Sequence, residues 1–257
     1  METINVGAAI FAAALAVLAP ILFILYVFRF RKLAFHLPDV LMGIIVSWFA
    51  QTVLFSLIVR LVPQIPGLSL LSGDPLAQQL LYGVAGAVCF LGGWLAVWAT
   101  TYQRRFSEGQ VSRLTVGASV IKILSDIMSA AISNVTVALR ISDGTLEGLL
   151  AQSVNNPAVD AAELAATYES YTPAQYLYLG ILAILVIQTT YLVLLQIAEG
   201  KPAWQPVVWS LAFSFVYNFT YSIPIPNVML IVAMALAIAE LVVISRIMGD
   251  YLARKDA

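Results

Sequence analysis

One histidine, His36, and one cysteine, Cys89, are all that 257 residues supply of the two commonest metal-ligating side chains. A lone cysteine cannot close an intramolecular disulfide or build a thiolate cluster. A lone histidine removes any paired-histidine zinc site. Charge is scarce too: only 11% of residues carry it, 13 basic against 14 acidic, for a net charge of −1. No basic run of the kind that tracks a nucleic-acid backbone is present, so nucleic acid is excluded as an expected partner. No cofactor is expected either.

What the chain has in excess is apolar surface. Hydrophobic residues make up 61% of it, and the mean hydropathy is +0.92. Soluble domains hold about 45–50% apolar residues. Repeated apolar runs of roughly 20 residues read as transmembrane helices. The bilayer demands that every backbone group be paired internally, which leaves helices or a closed barrel. These runs do not alternate, so they predict an all-α, polytopic membrane helix bundle forming one domain over 1–257. Seven spans are predicted, at 5–29, 38–61, 79–102, 114–139, 174–198, 204–223 and 226–248.

The basic residues set an orientation. Arg29, Arg31 and Lys32 follow the first span, and Arg104, Arg105 and Arg113 surround the loop after the third. Lys201 follows the fifth span, and Arg246, Arg254 and Lys255 follow the seventh. These are ten of the thirteen basic residues, and they mark the cytoplasmic side. The N-terminus is thus expected outside, the C-terminus inside, and the chain in the cell (inner) membrane. "RFRK" lies after the first span with no basic residue before it, the reverse of a cleaved signal peptide, so a retained helix is expected. The outer loop, 141–173, predicts two short helices, one after the turn in "ISDGTLEGLLAQ" with Ser142 or Asp143 as cap, one in "NPAVDAAELAATYESY".

The fourth span, "LTVGASVIKILSDIMSAAISNVTVALR", carries charge where there is no water. Ser119, Lys122, Asp126, Ser129, Ser133, Thr136 and Arg140 fall at steps of three and four, hence on one stripe. Val120, Ile123, Leu124, Ile127, Met128 and Val135 lie opposite. The expectation is a central helix whose stripe faces the bundle interior and whose apolar face meets lipid or neighbours. Its small residues, Gly117 to Ser119 among them, permit close helix approach. A charge at the bilayer centre costs roughly 2.5–3.5 kcal/mol on insertion scales. Lys122 is therefore expected to be paired, either with Asp126 one turn away or with Glu240, the one acid inside the seventh span. A triad of the three requires the fourth and seventh spans to be neighbours. Other polar candidates for an intramembrane cavity are Gln51 and Arg60 on the second span, Asn134 on the fourth and Asn218 on the sixth. The glycines of "GVAGAVCFLGGW" in the third span are read as close-packing residues.

The stretch Val62–Leu150 resembles the YhfC-like membrane peptidase family, related to the CAAX-protease and bacteriocin-processing superfamily. That family carries Phe-Glu-Glu-x-Gly-Arg-Tyr in the third span, Gly-His-Gly-Gly-x-Glu in the next, and Ser-Gly-Thr-Leu on the outer side. The corresponding stretches here are "VCFLGGW" at Val88–Trp94, "GASVIK" at Gly117–Lys122 and "SDGTLEGLL" at Ser142–Leu150. The family's two glutamates fall on Cys89 and Phe90, its arginine on Gly93, its histidine on Ala118 and its last glutamate on Lys122. Hydrolysis needs a base to activate water, and Cys89 has no histidine in the adjacent spans to activate it. The resemblance thus implies a pseudoenzyme that keeps the scaffold and has no catalytic residues. The expected role is binding, of a partner membrane protein or a small ligand, within the lipid bilayer. A peptidase with an altered site and a small-solute or ion transporter are the alternatives. A retinal protein would need a lysine in the seventh span, which has Glu240 instead.

Overall fold

The computed structural model describes residues 4–65, 74–103, 105–147, 161–218 and 226–256. Among them there are eight helices and no strand. Helix α1 covers Val6–Phe30, α2 Leu37–Leu61, α3 Pro75–Thr100 and α4 Glu108–Ser142. The short outer helix α5 is Ala161–Glu169, followed by α6 (Pro173–Ala198), α7 (Trp204–Asn218) and α8 (Pro226–Asp256). Six of these (α1, α2, α3, α4, α6 and α8) are long and apolar enough to cross a membrane. The chain is therefore an all-α polytopic bundle. The sixth expected span, 204–223, is described as the 15 residues of α7, and its remainder lies outside the described residues.

The helix ends follow local chemistry. Ser107 and Gln110 form a capping box at the start of α4, extending it six residues earlier than the apolar run alone suggests. The Thr172 N–H donates to Gln175 Oε1 at 2.6 Å, and Pro173 sits at the first position of α6. Both α4 and α6 stop at a glycine in the left-handed region: Gly144 at φ 67° and Gly200 at φ 62°. The following N–H reaches back five residues in each case, Thr145 to Arg140 O and Lys201 to Gln196 O, both at 2.9 Å. Of the two short outer helices expected in 141–173, the second is α5; the first falls largely outside the described residues.

The central helix is α6, not α4. In its most apolar stretch 78% of residues are buried, against 44% for α4. Leu185, Leu192, Val193 and Leu194 are fully enclosed. Around α6 stand α1, α4, α7 and α8, while α2 packs on α4, and α3 packs on α7. The physical reason is composition. Between Pro173 and Ala198 there is no charged residue, so α6 can be enclosed on all sides without stranding one.

Glycines place the outer layer. A Cβ on Gly117 of α4 would lie 1.9 Å from Val40 O, and one on Gly43 of α2 would lie 2.2 Å from Leu114 O. The two backbones thus touch at this crossing. On α3, Gly83 and Gly86 admit Phe215 and Ser214 of α7, and Gly93 admits Ala50 of α2. Gly83, Gly86 and Gly93 are thus packing residues, whereas Gly92 meets nothing within 4 Å.

Candidate functional site

Two helices that touch at Gly43 and Gly117 part company further along. The segment Leu37–Trp48 packs against Glu108–Lys122. Beyond it, Phe55–Leu61 packs on α3, whereas Ser129–Ser142 packs on α1 and α6. Each helix contains a π-turn where the two separate, Phe49–Leu54 in α2 and Ile123–Met128 in α4. A π-turn adds a residue to one turn and re-aims the side chains after it, and it is found often at functional sites. Together the bends open a cleft between α2, α3, α4 and α7.

The cleft is lined by Gln51 and Phe55 from α2, Gly86 and Phe90 from α3, Lys122 from α4, and Phe213, Ser214, Tyr217 and Asn218 from α7. Its cavity volume is ≈ 50 Å³. A water takes about 30 Å³ in the liquid, so this space suits water or one small polar group. Lys122 Nζ lies 2.5 Å from Asp126 Oδ2 and 4.4 Å from the centroid of the Tyr217 ring. Tyr217 donates its hydroxyl to Asp126 Oδ2 at 2.8 Å, and Ser125 donates to Oδ1 at 2.6 Å. The lysine side chain is 13% exposed and the aspartate 40%. The pair is therefore half-open: Lys122 is largely covered and lines the cleft, and the carboxylate is more exposed. Asn218 Nδ2 donates to Ser214 O at 2.8 Å, within α7.

Glu240 does not join this unit. Helix α8 packs on α6 and α7, and α6 stands between it and α4. Glu240 is fully buried, and its Oε1 accepts a hydrogen bond from Thr189 of α6 at 2.6 Å. Its Oε2 has no partner among the described residues. The expected triad is corrected to a Lys122–Asp126 pair and a separate Glu240–Thr189 pair.

The stripe on α4 is also corrected. On the apolar face, Ile123 and Ile127 meet a packed neighbour and not lipid: they are buried in the core against α6. Ser129, Ser133 and Thr136 are exposed, on the side where α4 has parted from α2. Ser129 and Thr136 donate back to the carbonyls of Ser125 and Ile132 in their own helix. Ser119 is wholly buried and bonded to Thr115 O at 2.6 Å, so it serves helix packing and not a cavity. Asn134 accepts from the Tyr168 hydroxyl at 2.8 Å and ties α5 onto α4. Arg60 is exposed at the end of α2 and does not line the cleft. Of the polar candidates, the structure brings Gln51, Lys122, Asp126 and Asn218 together, while Ser119, Ser129, Ser133, Asn134, Arg60 and Glu240 lie elsewhere.

A second polar cluster was not anticipated. Asp39, in the first turn of α2, is 2% exposed. It accepts from Tyr102 Oη at 2.8 Å and from Arg113 Nε at 2.7 Å, with His36 Nδ1 at 3.2 Å. Arg113 also donates to Ala34 O at 3.3 Å, and Arg31 pairs with Glu108, five residues before Arg113 on α4. Burial, and then the hydrogen bond to Asp39, push the Tyr102 phenol well above its ordinary value. The one sequence signal was an acid in a first helical turn, which ordinarily needs no partner beyond the helix dipole.

No family model, no curated protein and no solved structure matches this chain. At the positions that carry the resemblance to the peptidases, Cys89, Phe90 and Ala118 are buried packing residues, and Gly93 abuts Ala50. Among the described residues no three His, Cys, Asp or Glu side chains are grouped closely enough to hold a metal.

Proposed function

We propose that this chain is a non-catalytic protein of the cell (inner) membrane that binds a small polar ligand in the cleft between α2 and α4. One observation carries the reading: the Lys122–Asp126 pair, half-open and backed by Tyr217, faces Gln51 and Asn218 where two π-turns part the helices. Lysine and aspartate together present both signs of charge at a site walled by apolar helices. Such a pair suits a ligand with both a donor and an acceptor, held by few but oriented contacts. The exposed hydroxyls of Ser129, Ser133 and Thr136 continue from the pair toward the Ser142 end of α4, which the basic residues place outside. On this reading the ligand enters from outside and the N-terminus is outside as well. The same packing residues at 89, 90, 93 and 118 support a pseudoenzyme within the YhfC-like resemblance, since no base stands at those positions.

The test uses a Cys89→Ser background with single cysteines at Ser129, Ser133 or Ile132. A membrane-impermeant methanethiosulfonate is added from outside to intact cells. Cysteines at 129 and 133 should react much faster than the one at 132, and prior incubation with glycine, a small zwitterion carrying both a donor and an acceptor, should slow them. Equal protection of all three positions would remove the hydrated cleft and with it the binding role.

A further inference from the structure

A second cavity system lies on the far side of the bundle, between α1, α6 and α8. One groove of ≈ 370 Å³ is lined by Phe23, Tyr26, Gln188, Tyr191, Ile244 and Met248, among others. A second, of ≈ 330 Å³, is lined by Leu15, Leu18, Leu22 and their neighbours. The two share Phe23, Ile187 and Gln188, so they form one continuous channel along α1. We infer that this channel is a binding site for one acyl chain of an anionic phospholipid, with the headgroup at Arg29.

Three observations carry it. The first is length. From Leu15 to Tyr26 the channel follows α1 for about eleven residues, roughly 16 Å at 1.5 Å per residue. Half the hydrocarbon core of a bilayer is about 15 Å. The channel is therefore one leaflet deep, which fits an acyl chain anchored at one surface. The second is lining. Apart from Tyr26, Gln188, Tyr191 and Ser245, the walls are apolar, as an acyl chain requires. Ser245 satisfies its hydroxyl on Leu241 O, and Tyr191 donates its own to Met248 Sδ; where the two grooves meet, Gln188 Oε1 is the one buried wall acceptor without a partner among the described residues.

The third is charge. Leu15, Leu18 and Leu22 follow one another at steps of three and four, and so lie on one face of α1. Arg29 comes one turn after Tyr26, at the surface end of the channel, within the closing π-turn of the helix. It is exposed and has no carboxylate within ion-pair distance among the described residues, and neither has Lys32 next to it. The neighbouring Arg31 is already neutralised by Glu108. The mouth is thus net positive, which favours an anionic headgroup over a zwitterionic one.

The experiment is native mass spectrometry of the purified protein in mild detergent, with equal amounts of phosphatidylglycerol and phosphatidylcholine of the same chains. The parent should retain one phosphatidylglycerol in preference to phosphatidylcholine. Arg29→Gln should reduce that preference roughly fivefold, the worth of one arginine beside an anionic surface, without abolishing chain binding. Ser245→Trp, which places an indole in the channel from an exposed position, should abolish retention of both lipids. Melting temperature in lipid-free detergent verifies that both variants fold, and a misfolded Ser245→Trp is replaced by Ser245→Phe. Equal retention of the two lipids by the parent, or undiminished retention in the occluded variant, overturns the proposal.

Discussion

Lys122 and Asp126 meet at 2.5 Å across the π-turn of α4, with the Tyr217 ring stacked beneath the ammonium and its hydroxyl on the carboxylate. Three groups from two helices thus share one charge pair. Glu240 lies behind α6 and takes no part.

This arrangement sets the outcome of a double-mutant cycle. Lys122→Met leaves Asp126 without its cation. Because that carboxylate is 40% exposed, the loss should fall between the limits for open and buried pairs, ~1–3 kcal/mol. Adding Asp126→Leu should restore much of it, whereas adding Glu240→Leu should not. Thermal melts in detergent of the parent, the single and the two doubles are the measurement. Recovery in the Glu240 double alone would mean that Lys122 is paired across α6 after all.

The α2–α4 crossing predicts a sharp contrast between two glycines. Gly117→Ala puts a Cβ against Val40 O, and the backbone has no room to yield without parting the helices. Overpacking of this kind costs ~1–3 kcal/mol. Gly92→Ala on α3 meets nothing within 4 Å and should be neutral or stabilising, since alanine is the better helix former. Comparing the melting temperatures of the two variants checks this, and an unchanged melt for Gly117→Ala would contradict the crossing.

The Asp39 cluster predicts a dependence on alkaline pH. Burial and the bond to Asp39 raise the Tyr102 phenol above its unfolded value of about 10. A group whose folded value is raised contributes stability that is complete below the unfolded value and is lost as pH rises through the folded one. The parent should therefore lose stability above about pH 10, and Tyr102→Phe should flatten that part of the curve. At neutral pH the same variant should be weaker by ~1.5–3 kcal/mol, for one hydrogen bond to a buried charge. Melts at neutral and at alkaline pH for both proteins give the comparison; parallel curves would detach Tyr102 from Asp39.

The sequence by itself determined the class and the elements. Its apolar runs are long because the bilayer is thick, and the bilayer leaves the backbone few ways to be satisfied. The spans expected at 5–29, 38–61 and 174–198 agree within a residue with Val6–Phe30, Leu37–Leu61 and Pro173–Ala198. The i, i+4 partner of Lys122 was legible for the same reason: helical geometry alone brings Asp126 into reach.

Tertiary structure decided everything that depends on which helix neighbours which. A stripe at helical spacing shows that two faces differ, not which of them the bundle covers. In a bilayer an apolar face suits core and lipid alike, so Ile123 and Ile127 could be assigned to either side, and only the packing on α6 placed them inside. Opposite charges inside two spans made Lys122 and Glu240 plausible partners, but the sequence carries no information about the helix between them. The π-turns that open the cleft have no composition of their own; they form where α2, held to α4 at Gly43 and Gly117, must leave it to cover α3.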